Sequence, residues 1–205
     1  MSNTPSFNSA NSGFTLDLPD WAVDELNKLP THFATNEERM TAVIEFSRLN
    51  FQRNTGGPFA AGIFERDSGR LVTIGVNRVM PFHCSSAHAE IMAISLAQKL
   101  LGVYDLGADD LPAHQLVVNW RPCTMCFGAV LWSGVRSLVI AGDGPELEEI
   151  TGFDEGPIHP EWRAELSKRG IELVEDVLRP QAIVAYKEFS ASQAFVYNAR
   201  LGDEG

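Results

Sequence analysis

The chain has 205 residues, of which 44% are hydrophobic and 21% charged. A chain of this length can bury one sizeable core and leaves little room for a second, so we expect one domain over residues 14–205. The formal net charge is −11, and no cluster of lysine and arginine could follow a phosphate backbone. This composition argues against a nucleic-acid polymer as partner and favours a small, neutral substrate.

The cysteine content and the N-terminal composition predict a cytoplasmic protein. Three cysteines are too few for a disulfide framework, and two of them are three residues apart, a spacing typical of metal ligands. Residues 1–13 are rich in Ser and Asn and have neither the basic nor the apolar region of a signal peptide, so we expect a disordered N-terminal tail. No apolar run reaches the roughly 18 residues of a membrane span, and we expect no contact with a membrane.

The first predicted elements are a helix and a β-hairpin. Thr35 and Glu38 have the spacing of a capping box, and apolar residues follow at near-helical spacing, which predicts a helix over 36–52. Two short apolar runs, at 59–65 and 71–76, are separated by a polar turn. These runs predict two antiparallel strands.

A buried helix and a strand–helix–strand unit come next. Residues 87–101 carry an apolar stripe at spacings of three and four, and Gly102 supplies the stop. Short apolar runs at 115–120 and 137–141 predict two buried strands. Between them, residues 122–133 predict a helix that a proline opens.

The last part of the chain predicts a second crossover connection. The segment before a final strand at 171–174 is long enough to hold a helix at 161–168, so that strand can lie parallel to its neighbour. A closing helix at 180–189 precedes a C-terminal tail, residues 190–205. Together these elements predict an α/β fold, a three-layer α/β/α sandwich around a mixed five-stranded sheet.

Two cysteines lie at the start of a predicted helix. Cys123 and Cys126 share one helix face, where unpaired backbone N–H groups and the helix dipole favour the thiolate that zinc binds. Taken alone, the pair could also be buried core cysteines or a redox pair. His88 and Glu90 open the preceding buried helix, and both motifs together match the H-x-E…P-C-x-x-C signature of a zinc site.

The sequence predicts three protein side chains as zinc ligands, and this number bears on function. Structural zinc sites are closed by four side chains, whereas three leave a position for water, which zinc can ionise near neutral pH. We predict that His88, Cys123 and Cys126 hold Zn2+. Glu90 then moves protons and is not a fourth ligand. Cys84 lies nearby in sequence, but we expect it to be a loop residue.

The chain resembles the guanine deaminases of the cytidine-deaminase superfamily. The resemblance covers about residues 57–200 and rests on the two zinc motifs and on four further segments. These segments are residues 57–60, 75–78, 127–132 and 152–157. The acidic loop in the last segment is the feature most similar to the guanine branch. The resemblance implies a cytidine-deaminase-like fold and zinc-dependent hydrolysis of guanine to xanthine and ammonia.

The resemblance also implies roles for particular side chains. Asn77 would hydrogen-bond the purine, Phe59 and Trp132 would line the ring pocket, and Glu155 would be a second proton carrier beside Glu90. Without the resemblance, Asn77 could be a turn residue, Glu155 a solvated loop charge and the two aromatics core residues. The full set of expected substrate contacts is Phe59, Asn77, Ala89, Trp132, Asp154 and Tyr197.

The C-terminal tail carries Phe195, Val196 and Tyr197 after a helix that already closes the fold. We expect these apolar side chains to find no core within one subunit. They therefore predict a homodimer in which each tail covers the pocket of its partner, as the tail of the resembled family does.

Other functions stay open at this point. The segment 119–121, Asn-Trp-Arg, replaces the small residue and the glutamate that are usual in the family, so the pocket rim differs and amino-s-triazines such as ammeline are possible substrates. Cytosine and guanosine are alternative substrates, and a tRNA adenosine would require a basic face that a net charge of −11 does not supply. A non-catalytic zinc-binding module would need a fourth ligand and no Glu90.

Overall fold

Five strands form one mixed sheet in the computed structural model, which describes residues 13–198. They are β1 (Ala60–Glu65), β2 (Leu71–Val76), β3 (His114–Val118), β4 (Ser137–Ile140) and β5 (Glu172–Val174). Their order across the sheet is β2-β1-β3-β4-β5. β1 pairs antiparallel with β2 and β3, whereas β3, β4 and β5 run parallel. The expected mixed sheet with a parallel last strand is confirmed.

Helices cover both faces of this sheet. They are α1 (Asp20–Leu26), α2 (Asn36–Gln52), α3 (Val79–Phe82), α4 (Ala89–Leu101), α5 (Thr124–Ser133), α6 (Glu146–Thr151), α7 (Trp162–Lys168) and α8 (Arg179–Ala191). One core joins α1, α2, α6 and α8 to the sheet, and the other joins α4, α5 and α7 to its opposite face. This is the predicted three-layer α/β/α arrangement.

The two cores follow from alternation along the strands. In β4, Leu138 and Ile140 face the core beneath α4, whereas Val139 between them faces the core beneath α2. Successive side chains of a strand point to opposite faces, so a strand covered on both sides must be apolar throughout. All four residues of β4 are buried accordingly.

The capping box at the start of α2 is present. The Thr35 hydroxyl accepts a hydrogen bond from the Glu38 backbone N–H at 3.2 Å. In return, the Glu38 carboxylate accepts from the Ala34 N–H at 2.7 Å. The helix spans the predicted residues because its start is fixed by these local contacts.

Several element boundaries differ from the prediction. The helix expected from Pro122 begins at Thr124, because Cys123 takes the capping position and accepts from the Cys126 N–H at 3.5 Å. The buried helix expected from residue 87 begins at Ala89 for the similar reason that His88 is its N-cap. α8 extends to Ala191, so the expected tail begins two residues later. The short helices α1, α3 and α6 were not predicted, because a helix of so few residues is too short to show a clear helical period in the sequence.

Two expectations concern residues that the structure does not describe. The N-terminal tail, apart from Gly13, and residues 199–205 of the C-terminal tail lie outside the described residues. Within residues 13–198, none of the helices combines the length and the apolar character that crossing a membrane requires.

Candidate active site

The start of α4 brings His88 and Glu90 to one place. His88 is the N-cap and has an extended backbone, with φ −70° and ψ 157°, while Glu90 lies in the first turn. In a regular helix, side chains two residues apart point about 200° apart, so this irregular start lets both face the same centre. The helix is seated on the sheet at Gly75, where an added Cβ would lie only 2.4 Å from the Ala93 backbone nitrogen.

The start of α5 supplies the two thiols. Cys123 and Cys126 are buried, and the sulfur of Cys123 lies 3.5 Å from Nδ1 of His88. The potential ligand atoms of all three residues lie within 4.8 Å of one another. They are the only group of three or more potential metal ligands found in the described part of the chain, and Cys84 instead contacts the Ser86 hydroxyl at 3.2 Å.

The three side chains fit a zinc ion. A tetrahedral zinc with Zn–S near 2.3 Å and Zn–N near 2.0 Å separates its ligand atoms by about 3.5–3.8 Å, which matches the spacing between Cys123 and His88. A hydrogen bond from the Cys126 thiol holds the pKa of Cys123 at about 4, so Cys123 is a thiolate. The same hydrogen bond, together with burial, raises the pKa of Cys126. Two thiolates side by side repel each other, so this set of ligands requires a divalent cation to hold both cysteines in the thiolate form.

Two carboxyl groups face the same small chamber. Glu90 is 6% exposed, and burial followed by the negative charge of Cys123 raises its pKa. Glu155 reaches the chamber from the loop after α6, and burial, then Cys123 and Glu90, raise its pKa to about 8. Buried carboxyls with raised pKa values in one cleft are typical of proton-transfer sites.

The site has an inner chamber and an outer cleft. The chamber measures about 10 Å³, the space of one water molecule, and His88, Glu90 and Glu155 are among its walls. The cleft measures about 420 Å³ and shares the walls Phe59, His88 and Glu155 with the chamber. A cleft of this size accommodates a small planar ligand.

Asn77 is fully buried and its carbonyl oxygen is already engaged. Its Oδ1 accepts hydrogen bonds from the backbone N–H of Gly57 at 3.2 Å and of Val79 at 3.4 Å. Its Nδ2 donates to the hydroxyl of Tyr197, which lines the outer cleft. Asn77 itself lines neither cavity, and its NH₂ group meets the cleft wall only through Tyr197.

The other expected substrate contacts divide into two groups. Phe59, Asp154 and Tyr197 line the cleft. Ala89 is fully buried in the core beneath α4. Trp132 is 86% exposed on α5 and lines neither cavity, so the expectation that it contributes to the ring pocket fails within one chain.

Phe153 is a functional candidate that the sequence reasoning did not single out. It lines the cleft and packs edge-on at 5.0 Å against both Phe59 and Tyr197. The signal for it was present, because Phe153 belongs to the loop segment 152–157 on which the resemblance rested.

The C-terminal segment covers the cleft of its own chain. Val196 and Tyr197 pack against the core beneath α8, and the Tyr197 ring lies 6.5 Å from the His88 ring. The expectation that these side chains find no core within one subunit is therefore wrong for Val196 and Tyr197. Phe195 is 70% exposed.

The rim segment 119–121 contributes differently at each position. Asn119 supports Phe59 from behind, since its side chain accepts from the Ala60 N–H at 3.1 Å and donates to the Pro58 carbonyl at 2.9 Å. Trp120 and Arg121 are walls of the chamber. Arg121 pairs with Asp143, and its positive charge partly offsets the rise in the pKa of Glu155.

The comparison with known families agrees with this geometry. Residues 34–142 match the family model of the cytidine and deoxycytidylate deaminase zinc-binding region. This chain belongs to that family. As a member of this deaminase family it is a zinc-dependent amino-hydrolase, and His88, Cys123 and Cys126 are the cluster able to hold the metal.

Relatives of this family member include characterised deaminases. A guanine deaminase from Nitrosomonas europaea has a solved structure that is 49% identical, covers 88% of this chain and 98% of that one, and superposes with a TM-score of 0.83. A structure of the protein NE0047 in complex with 2,6-diaminopurine is 49% identical over 93% of this chain and 99% of that one, with a TM-score of 0.85. The guanine deaminase of Bacillus subtilis (strain 168) is 34% identical over 60% of this chain and 74% of that protein.

Proposed function

We propose that this protein is a guanine deaminase that hydrolyses guanine to xanthine and ammonia. The observation that carries the proposal is the convergence of two carboxyl groups, Glu90 and Glu155, on one chamber beside the zinc ligands. The substrate is supported by the relatives named guanine deaminase, one of them 49% identical to this chain.

The proposed chemistry divides the work between the metal and the side chains. Zinc with an open coordination position supplies an activated water near neutral pH. Glu90 accepts a proton from the attacking water and returns it to the purine ring nitrogen beside the reacting carbon. Glu155, protonated at neutral pH because its pKa is about 8, supplies a proton to the departing amine, which leaves as ammonia. Its carboxylate then takes up the proton of the new hydroxyl group as the carbonyl of xanthine forms.

The walls of the cleft suit a flat aromatic base. Phe59 and Phe153 offer ring surface on one side, and edge-on or offset packing of aromatic rings stabilises such contacts. The Asn77 NH₂ group donates to an acceptor atom of the purine in place of the Tyr197 hydroxyl. Closing Tyr197 over the bound base excludes bulk water from the reaction.

We also propose that the protein is a homodimer built on α5. Four apolar or small residues, Met125, Gly128, Ala129 and Trp132, lie at spacings of three and four along this helix. Met125 and Trp132 are exposed, the latter by 86%. A second copy of the chain fits this stripe, because the stripe begins beside the zinc ligands and Met125 is also a wall of the cleft.

The dimer is tested by one pair of variants. Trp132→Asp should give a monomer in analytical ultracentrifugation at micromolar concentration. Val184→Asp changes an exposed apolar residue of α8, on the opposite face of the sheet, and should leave the dimer intact. A monomeric parent protein, or dissociation by both variants alike, would contradict the proposal.

Two coarser features complete the proposal. None of the three cysteines of the described chain is in a disulfide, and cysteines that bind a metal are typical of the reducing cytoplasm, where we place the protein. We also place residues 14–205 in one domain, which is supported by the single sheet between two cores in residues 13–198.

The substrate is tested by ammonia release from zinc-loaded protein. Guanine, guanosine, cytosine, adenosine and ammeline should be supplied one at a time at the same concentration. We expect guanine to have the highest kcat/KM. Ammeline is included because the Arg121 rim departs from the family pattern and presents a positive charge to the chamber. Preference for cytosine or adenosine, with no turnover of guanine, would overturn the proposed substrate.

A further inference from the structure

The loop that carries Glu155 is flanked by two conformationally free residues. Gly152 and Gly156 both adopt the left-handed backbone conformation, with φ of 79° and 71°. Glycine populates this region readily and restrains its neighbours less than any other residue does. Besides a hydrogen bond from the Glu155 N–H to the Glu148 carboxylate at 3.2 Å, the position of the Glu155 carboxyl depends on what holds the loop from α5 and from the C-terminal segment.

The zinc helix holds one side of this loop. The backbone N–H of Thr124 donates to the carbonyl of Glu155 at 3.1 Å, and the Thr124 hydroxyl donates to the carbonyl of Pro157 at 2.8 Å. Both contacts act at or after Glu155. They leave residues 152–154, which lead into it, without support from α5.

The C-terminal segment holds the other side. Nδ2 of Asn198 donates to the Gly152 carbonyl at 2.8 Å, and Oδ1 of Asn198 accepts from the Asp154 N–H at 3.0 Å. One side-chain amide thus bridges the residues immediately before Glu155. Its neighbour Tyr197 is the residue that covers the cleft and accepts from Asn77.

We propose that Asn198 is a positioning residue that ties the C-terminal segment to the Glu155 loop, so that closing the cleft and placing the Glu155 carboxyl happen together. The inference rests on the proposed role of Glu155 in guanine deamination. When the segment lifts to admit guanine or release xanthine, the loop loses its bridge and Glu155 leaves its working position. As a result, Glu155 is in position to donate its proton only while the segment is closed and bulk water is excluded.

Two substitutions break the bridge in different ways. Asn198→Ala removes both hydrogen bonds. Asn198→Asp keeps an acceptor for the Asp154 N–H but replaces the donor to the Gly152 carbonyl with a carboxylate oxygen, which repels it. Because a displacement of about 1 Å at a reacting group can cost about 100-fold, we expect kcat to fall by about 10- to 100-fold in both variants. KM should change by less than about threefold, and zinc content and the melting temperature should not change.

A matched control lies in the same segment. Gln193 is exposed and has a left-handed backbone with φ of 55°, a conformation that asparagine tolerates. Gln193→Asn shortens an amide side chain five residues before Asn198 in the sequence and leaves both hydrogen bonds of Asn198 in place. Its kcat should equal that of the parent.

A double-mutant cycle with Glu155→Gln separates positioning from a merely structural or covering role. If Asn198 acts through Glu155, Asn198→Ala should cause no further loss of kcat in the Glu155→Gln background. If the two losses of kcat multiply in the double variant, the inference is overturned. It is also overturned if Asn198→Ala has the kcat of the parent although Glu155→Gln has a lower kcat. Parent kcat in Glu155→Gln alone would instead refute the proposed role of Glu155 and, with it, the inference that depends on that role.

Discussion

Gly75→Ala tests how the fold places the zinc ligand His88 and the proton carrier Glu90. A Cβ at position 75 would lie 2.4 Å from the Ala93 nitrogen, 2.7 Å from the Ala89 carbonyl oxygen and 2.9 Å from the Ala93 Cα. Non-bonded atoms prefer about 3.5 Å, so α4 has to retreat by about 1 Å. All three obstructing atoms belong to the helix backbone, and no side-chain rotation can relieve the contact.

The displacement should affect stability and catalysis together. Overpacking of this kind costs about 1–3 kcal/mol of the free energy of unfolding. A shift of about 1 Å at the reacting groups can lower kcat by about 100-fold. We therefore expect Gly75→Ala to lower the denaturation midpoint in urea, the zinc content after dialysis and the rate of ammonia release.

Gly102→Ala is the matched control at the other end of the same helix. Gly102 has φ of 70°, and an added Cβ there would meet nothing within 4 Å. Alanine in the left-handed conformation costs about 1–2 kcal/mol, so this variant should lose a similar amount of stability while α4 stays in place. It should keep the zinc content and kcat of the parent. The prediction is refuted if Gly75→Ala keeps the zinc content and kcat of the parent. It is also refuted if both variants lose zinc and kcat to the same extent.

Four further predictions concern the site and α2. Cys123→Ala should lose zinc as well as activity, because two remaining ligands hold the ion poorly; metal analysis of folded, dialysed protein checks this. Since the pKa of Glu155 is about 8, its carboxyl is protonated below that pH, so kcat should decline as the pH rises through about 8. Glu155→Gln should lower kcat more than it changes KM, and should abolish that decline. Thr35→Ala removes the cap of α2 and should cost about 1 kcal/mol in urea unfolding without changing kcat.

Local sequence signals predicted the helix ends that are set by capping residues or by a terminating glycine. The capping residues Thr35 and Glu38 fixed α2, and Gly102 fixed the end of α4, because each signal acts within one turn. The start of α5 was placed too early. Proline is common at a first helical position, but here the capping contact of Cys123 decides the boundary.

The candidate site was predictable where a motif fixes its geometry. His88 and the two cysteines met as expected, since each motif sits at the start of a helix that packs on the same face of the sheet. That Trp132 is exposed within one chain could not be predicted, because α5 is apolar on nearly every side and its sequence does not indicate which face is buried.

The position of the C-terminal segment depends on tertiary structure alone. Tyr197 packs on Phe153 and reaches Asn77, residues that are far apart in sequence and meet only in the folded chain. No local pattern around Tyr197 reveals these partners. The bridge from Asn198 to the Glu155 loop is hidden from the sequence for the same reason.

The most direct test of the account is the turnover of guanine by zinc-loaded Glu90→Gln protein, measured beside the parent with the zinc content of each sample determined. In the proposed mechanism Glu90 moves protons and three other residues bind the metal. This mechanism predicts equal zinc content and a kcat lower by at least about 10²- to 10⁴-fold, because an amide can neither accept nor return the proton. Turnover within a few fold of the parent, or loss of zinc from the variant, would contradict it.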